Sequence, residues 1–159
     1  MKITIVDGQG GKIGKTVIEQ LVKNHPELEL YAIGTNSIAT STMMKAGATF
    51  GATGENPCVV NAADSDIIIG PIGIVFANAL LGEITPAIAT AIGASKAYKI
   101  LIPTNRCNHV VVGCTDAGLS STANKKFNNS GERSFITTQS IKKLNKDLKA
   151  WATDPSGWS

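Results

Sequence analysis

The chain is poor in aromatic residues, 5% of its 159 positions, and poor in charge, 17%. A sandwich core built around large rings is therefore not expected. Small residues must fill the interior, which suits helices packed closely on a sheet. Cysteine is scarce and odd in number: Cys58, Cys107 and Cys114 lack the spacing of a disulfide framework. A reducing cytoplasm is the setting this implies. Long apolar runs are missing too. Residues 67–95 carry one charge, Glu83, but Gly70, Pro71, Gly73, Gly82 and Pro86 interrupt the run. It never approaches the ~20 residues that a spanning helix needs, so no membrane association is expected. "MKITIVDG" has no charged segment leading into a long apolar one, and no signal peptide is read there. The net charge of +3 is not a basic face. Residues 1–124 hold eight Lys/Arg against nine Asp/Glu, and the excess sits in the last 35 residues. Nucleic-acid binding is accordingly not expected.

What is present is a strong alternation of apolar strands and helix-like segments. The residues Lys2–Val6 form a β-branched run ended by Asp-Gly, and Lys12–Asn24 repeats Ile13, Val17, Ile18, Leu21 and Val22 at helical spacing. A second strand over Leu28–Ile33 and a second helix over Ser37–Ala46 complete a β-α-β-α unit. Strands are read further over Cys58–Val60, Asp66–Ile69 and Tyr98–Ile102, and helices over Ile74–Leu81 and Pro86–Ile92, the last with Thr85 as N-cap. Val110–Val112 follows too closely on Pro103 for a crossover helix and should pair antiparallel at an edge. Residues 139–151 read as a basic amphipathic helix with Ile141, Leu144, Leu148 and Trp151 on one face. The expected architecture is α/β: a three-layer fold with a mostly parallel sheet, an antiparallel edge strand and a C-terminal amphipathic helix. The domain spans 1–118. A polar linker and the basic helix fill 119–159 and pack on the domain or on a partner.

The chemical signal lies in "VDGQGGKIGKT", a strand that breaks into glycines and then a helix. Backbone N–H groups at such a turn, with the helix dipole behind them, attract anions. Three known loop patterns each fit in part. G-x-G-x-x-G takes Gly8 and Gly10 but meets Ile13 where its third glycine belongs; Gly14 arrives one residue late. G-x-x-x-G-x-G takes Gly8 and Gly14 but has Lys12 at its middle glycine. The P-loop pattern takes Gly14, Lys15 and Thr16 but starts on Gln9, and the chain offers no apolar strand ending in the acid that would hold magnesium. No Tyr-x-x-x-Lys pair supports dehydrogenase chemistry. The second strand ends in "GTNS", with Thr35 and Asn36, and lacks the acid that usually holds a ribose diol.

The expected cofactor-binding set is therefore Gly8, Gln9, Gly10, Gly11, Lys12, Ile13, Gly14, Lys15, Thr35, Asn36, Gly70, Pro71 and Ile72, all at strand ends of one sheet edge. An ordinary tight strand-to-helix turn explains the same glycines without a ligand. Asn36, Asn56, Asn105 and Asn108 could aim amides into the same crevice, although turns favour Asn anyway. Catalytic candidates are Arg106, suited to a phosphate or carboxylate, and Cys107 beside it. His109 and Cys114 lie near, without zinc-finger spacing; no metal site is expected. Glu83, between a glycine and an N-cap, reads as a cap of its own short connection or as an acceptor for backbone N–H groups.

Taken together, "VDGQGGKIGK", "IGTNSIATSTMMKAGAT", "GATGENP", "DIIIGPIGIV", "ANALLGEITPA" and "ILIPTNRCN" resemble the small bacterial proteins of domain of unknown function family 3842, over residues of about 1–115. The resemblance implies a compact Rossmann-like fold and assigns no activity. Lys12 departs from it, standing where another glycine is expected, which narrows the space above the turn and adds a positive charge.

The functional expectation is a small cytoplasmic binding protein, a sensor, regulator or accessory factor. It holds a nucleotide or phosphorylated metabolite, NAD(P) among the possibilities, and acts as a homo-oligomer. Two alternatives stand beside it. One is an NAD(P)-dependent oxidoreductase or other small enzyme using Arg106 or Cys107. The other is an assembly module docking through the C-terminal helix.

Overall fold

The computed structural model describes residues 1–104 and, beyond them, Lys146. Five strands form one sheet: β1 (Ile3–Asp7), β2 (Leu30–Gly34), β3 (Phe50–Thr53), β4 (Ile67–Pro71) and β5 (Tyr98–Ile102). Their order is β3-β2-β1-β4-β5, and every pairing is parallel. Four helices connect them: α1 (Lys12–Asn24), α2 (Ser37–Lys45), α3 (Glu55–Asp64) and α4 (Pro86–Ala94). This is a Rossmann-like three-layer α/β fold.

Alternation along the strands feeds two cores. Ile3, Ile5, Leu30, Ala32, Ile67 and Ile69 point to the face covered by Val17, Ile18 and Leu21 of α1 and Met43 of α2. Val6, Ile33 and Ile68 point the other way, onto Cys58 and Ala62 of α3 and Ile88, Ala89 and Ile92 of α4. The inner strands β1 and β4 are buried along their whole length, as strands covered on both faces must be. The chain winds outward from β1 to β3, then returns through α3 to place β4 against the free side of β1. That reversal of strand order falls between β1 and β4, and open parallel sheets bind ligands at the C-terminal side of such a switch point.

Two expectations are corrected. Cys58–Val60 is not a strand; it lies inside α3, and the strand before it is Phe50–Thr53. Pro57 and two valines disguise the helix, but a proline in the first turn costs no hydrogen bond there. Only Cys58 and Ala62 are buried, so α3 gives little periodic signal. Ile74–Leu81 is not an α-helix either. A 3-10 turn covers Ile72–Val75, and the chain then turns through Asn78, Leu80 and Leu81, all with positive φ. The edge strand expected at 110–112, the helix at 139–151 and the boundary at 118 lie outside the described residues. The described sheet is wholly parallel.

Candidate functional site

β1 ends in Asp7, and the next four residues make the turn into α1. Gly11 N–H donates to the Gly8 carbonyl at 2.9 Å and closes the turn. Gln9 has φ 49 and Gly11 φ 66, both left-handed. Gly11 is the N-cap of α1 and supplies no side-chain acceptor to the helix N-terminus. That role falls to Asp7. Its Oδ1 accepts from Gly8 N–H at 2.8 Å and its Oδ2 from Gly14 N–H at 2.8 Å, and Ile13 N–H faces it as well. Asp7 is only 4% exposed. Burial pushes its carboxyl up to about 6, against the N–H groups of Gly14, Gly8 and Ile13, which lower it, while the Glu83 charge adds to the rise.

Glu83 reaches this turn from a distant part of the chain. The connection 76–85 folds back over the sheet edge, and Glu83 Oε2 accepts three hydrogen bonds. They come from Gln9 N–H at 2.8 Å, Thr35 Oγ1 at 2.5 Å and Asn36 Nδ2 at 2.9 Å. Partial burial raises this carboxyl, but the donors Thr35, Gln9 and Asn36 outweigh it and hold it below the usual glutamate value. Glu83 is thus a fixed, ionised acceptor, not a cap of its own connection. Among the described residues, Oε1 accepts no hydrogen bond. Asn36 is shared: its Oδ1 caps α2 by accepting from Ala39 N–H, and its Nδ2 also donates to the Gln9 carbonyl.

Three of the loop glycines have structural reasons. A Cβ on Gly8 would meet Glu83 Oε2 at 2.7 Å and Leu80 Cδ1 at 2.8 Å, so Gly8 lets the connection come down onto the turn. A Cβ on Gly11 would meet the backbone of Ala39 in α2. One on Gly14 would run into the Met43 thioether. Gly10 differs: it is exposed, its φ is not left-handed, and a Cβ would find only Lys12 Cγ at 3.9 Å. Its N–H has no acceptor among the described residues.

The expected set is therefore brought to one edge, with divided roles. Gly8, Gln9, Thr35 and Asn36 surround the Glu83 carboxylate. Lys12 opens α1 and is exposed, and Lys15 lies 3.7 Å from Glu19. Ile13 packs against the core beneath α1. Gly70 passes the Val6 carbonyl too closely for any side chain, Pro71 is buried in register with Ile102, and Ile72 begins the 3-10 turn. Of these last four, Ile13, Gly70 and Pro71 serve packing. Asn56 lies in the first turn of α3, away from the cluster's hydrogen bonds. Arg106, Cys107, His109, Cys114, Asn105 and Asn108 lie outside the described residues. Among the described residues no group of three metal-ligating side chains occurs. Cys58 is buried, and burial raises its thiol to about 12, which makes it inert.

Asp7 is the residue that the sequence reading missed. The signal was an acid at the end of a fully apolar strand, immediately before a glycine turn.

The family described as Domain of unknown function (DUF3842) matches residues 2–134, and the chain belongs to it. The match runs past the stretch of about 1–115 that carries the resemblance in sequence. No curated protein and no solved structure matches the chain. No helix among the described residues is long and apolar enough to cross a membrane.

Proposed function

We propose that this member of the DUF3842 family binds a nucleotide or phosphorylated metabolite at the C-terminal ends of β1 and β4, as a sensor or accessory protein. The observation behind the reading is Gly10. It alone among the turn glycines is demanded neither by φ nor by a neighbour, and its N–H has no acceptor among the described residues. Most of the other N–H groups of the turn are already taken. Asp7 takes Gly8, Ile13 and Gly14, and Glu83 takes Gln9. An incoming phosphate is therefore directed to Gly10, where Lys12 and Lys15 supply positive charge and no acid stands in the first turn of α1.

The test is a thermal-shift panel of ATP, GTP, NAD, NADP, coenzyme A and sugar phosphates. At about 100 times Kd, a ligand raises stability by about 2.7 kcal/mol, a shift that is easily read. Gly10→Val should leave the melting point of the free protein within about 2 °C of the parent, since the side chain enters open space. It should abolish the ligand shift by filling the phosphate position. A flat panel, or an undiminished shift in Gly10→Val, removes the reading.

A further inference from the structure

β2 carries no acid at its end, yet an acid stands there. Glu83 is delivered to Thr35 and Asn36 from the connection between β4 and α4, across 48 and 47 residues of sequence. The delivery takes unusual backbone: Asn78, Leu80 and Leu81 have φ of 65, 54 and 59, left-handed values that leucine rarely adopts. Such dihedrals persist where the surrounding structure enforces them, and they concentrate at ligand clamps. The carboxylate they place is oriented by three donors on one oxygen, while the other oxygen accepts none among the described residues. A carboxylate fixed at one oxygen and open at the other is a hydrogen-bond acceptor prepared for a hydroxyl.

We propose that Glu83 replaces the acid missing from β2, its Oε1 accepting the 2′-hydroxyl of a ribonucleoside ligand and its charge excluding a 2′-phosphate. This rests on the ligand site proposed above and narrows its ligand to ribonucleotides with a free diol. The anionic groups of such a ligand lie toward Gly10, Lys12 and Lys15, and its sugar lies over Gln9, toward Thr35. A bound hydroxyl donates to a full negative charge, so its loss costs more than that of a neutral hydrogen bond. A phosphate there meets Glu83 first, with Asp7 behind it, and no described cation is hydrogen-bonded to Glu83 to offset the repulsion.

The experiment is calorimetric titration of the full chain with ATP, 2′-deoxy-ATP, NAD and NADP. The parent should bind ATP about 10- to 100-fold more tightly than 2′-deoxy-ATP, and NAD more tightly than NADP by a similar factor. Glu83→Gln keeps an acceptor for Gln9, Thr35 and Asn36 but turns an amide donor outward. It should bring the ATP ratio to within about threefold and reverse the NAD preference. Equal affinities in the parent overturn the proposal even if Glu83→Gln fails to fold, because that arm needs no variant. Ratios unchanged in a folded Glu83→Gln overturn it as well. In both cases measurable binding leaves the ligand site itself standing; no binding of any of the four overturns the diol proposal, and the ligand site falls only with a flat thermal-shift panel.

Discussion

Gly11→Ala should lower the free energy of unfolding by about 2–5 kcal/mol, against a total of about 5–15 kcal/mol for a domain of this kind. Two costs combine. Gly11 has φ 66, where an L-residue with a Cβ loses about 1–2 kcal/mol. The new Cβ would also lie 2.7 Å from the Ala39 carbonyl oxygen and 2.8 Å from Ala39 Cα. Those are backbone atoms of α2 and cannot rotate away. The two helices must part, loosening Met43 against Val17 and Ile18, and overpacking of this kind costs about 1–3 kcal/mol. Gly10→Ala, one residue earlier, should change stability by less than about 0.5 kcal/mol, because nothing confronts its Cβ. Urea unfolding of the pair measures the contrast directly. Equal midpoints would mean that the turn does not follow this path.

The second large effect is a pH dependence with an unusual sign. The Asp7 carboxyl rises from 3.8 to about 6 on folding, because the strand end is buried. Between those values the native chain holds a proton that the unfolded chain has released. Stability from this group is therefore greatest below pH 3.8, falls as pH rises through the window, and is level above about 6. The span corresponds to about 3 kcal/mol at 1.36 kcal/mol per pH unit. Glu83 acts oppositely: its lowered carboxyl favours folding when ionised, a contribution lost as pH falls through its folded value. Asp7→Asn removes only the first slope. Unfolding free energies of the parent and Asp7→Asn, measured from pH 4 to 7, should differ by a gap that shifts by about 2.4 kcal/mol over that range. A constant gap would show that Asp7 titrates normally.

The parts of the fold legible in the sequence are those where burial and periodicity coincide. β1, α1 and β5 fall within a residue of their expected limits because their apolar residues, Val22 of α1 excepted, are buried or packed on the core. α4 begins where Thr85 and Pro86 place it, with Thr85 Oγ1 accepting from Ile88 N–H. β3 and α3 were not legible for the complementary reason. Phe50, Gly51 and Thr53 are exposed at the sheet edge, so β3 lacks an apolar pattern, and α3 hides behind Pro57. Apolarity misled at 74–81: Ile74, Ala79 and Ile84 are buried, but the turns between them are not helical.

The site divides along the same line. The position of its glycine turn was legible, because a turn after a central strand sits at the sheet edge wherever the fold is parallel. Its inner chemistry was not. Local spacing gives no warning that Asp7 caps α1 from the strand before it, or that Glu83 crosses 74 residues of sequence to reach Gln9. Glu83 was recognisable as the one charge in a long apolar run, but its destination depends on the left-handed turns at Asn78, Leu80 and Leu81.

The Asp7 carboxylate has a kinetic consequence. Because Gly8, Ile13 and Gly14 are held by the strand beneath them, the turn does not wait for a ligand to give it shape. A phosphate bound as proposed would meet a finished surface and would pay little for ordering the chain around it. Association of the proposed ligand would then be set by diffusion and orientation rather than by loop closure, and ligands would differ in how long they stay, not in how fast they arrive.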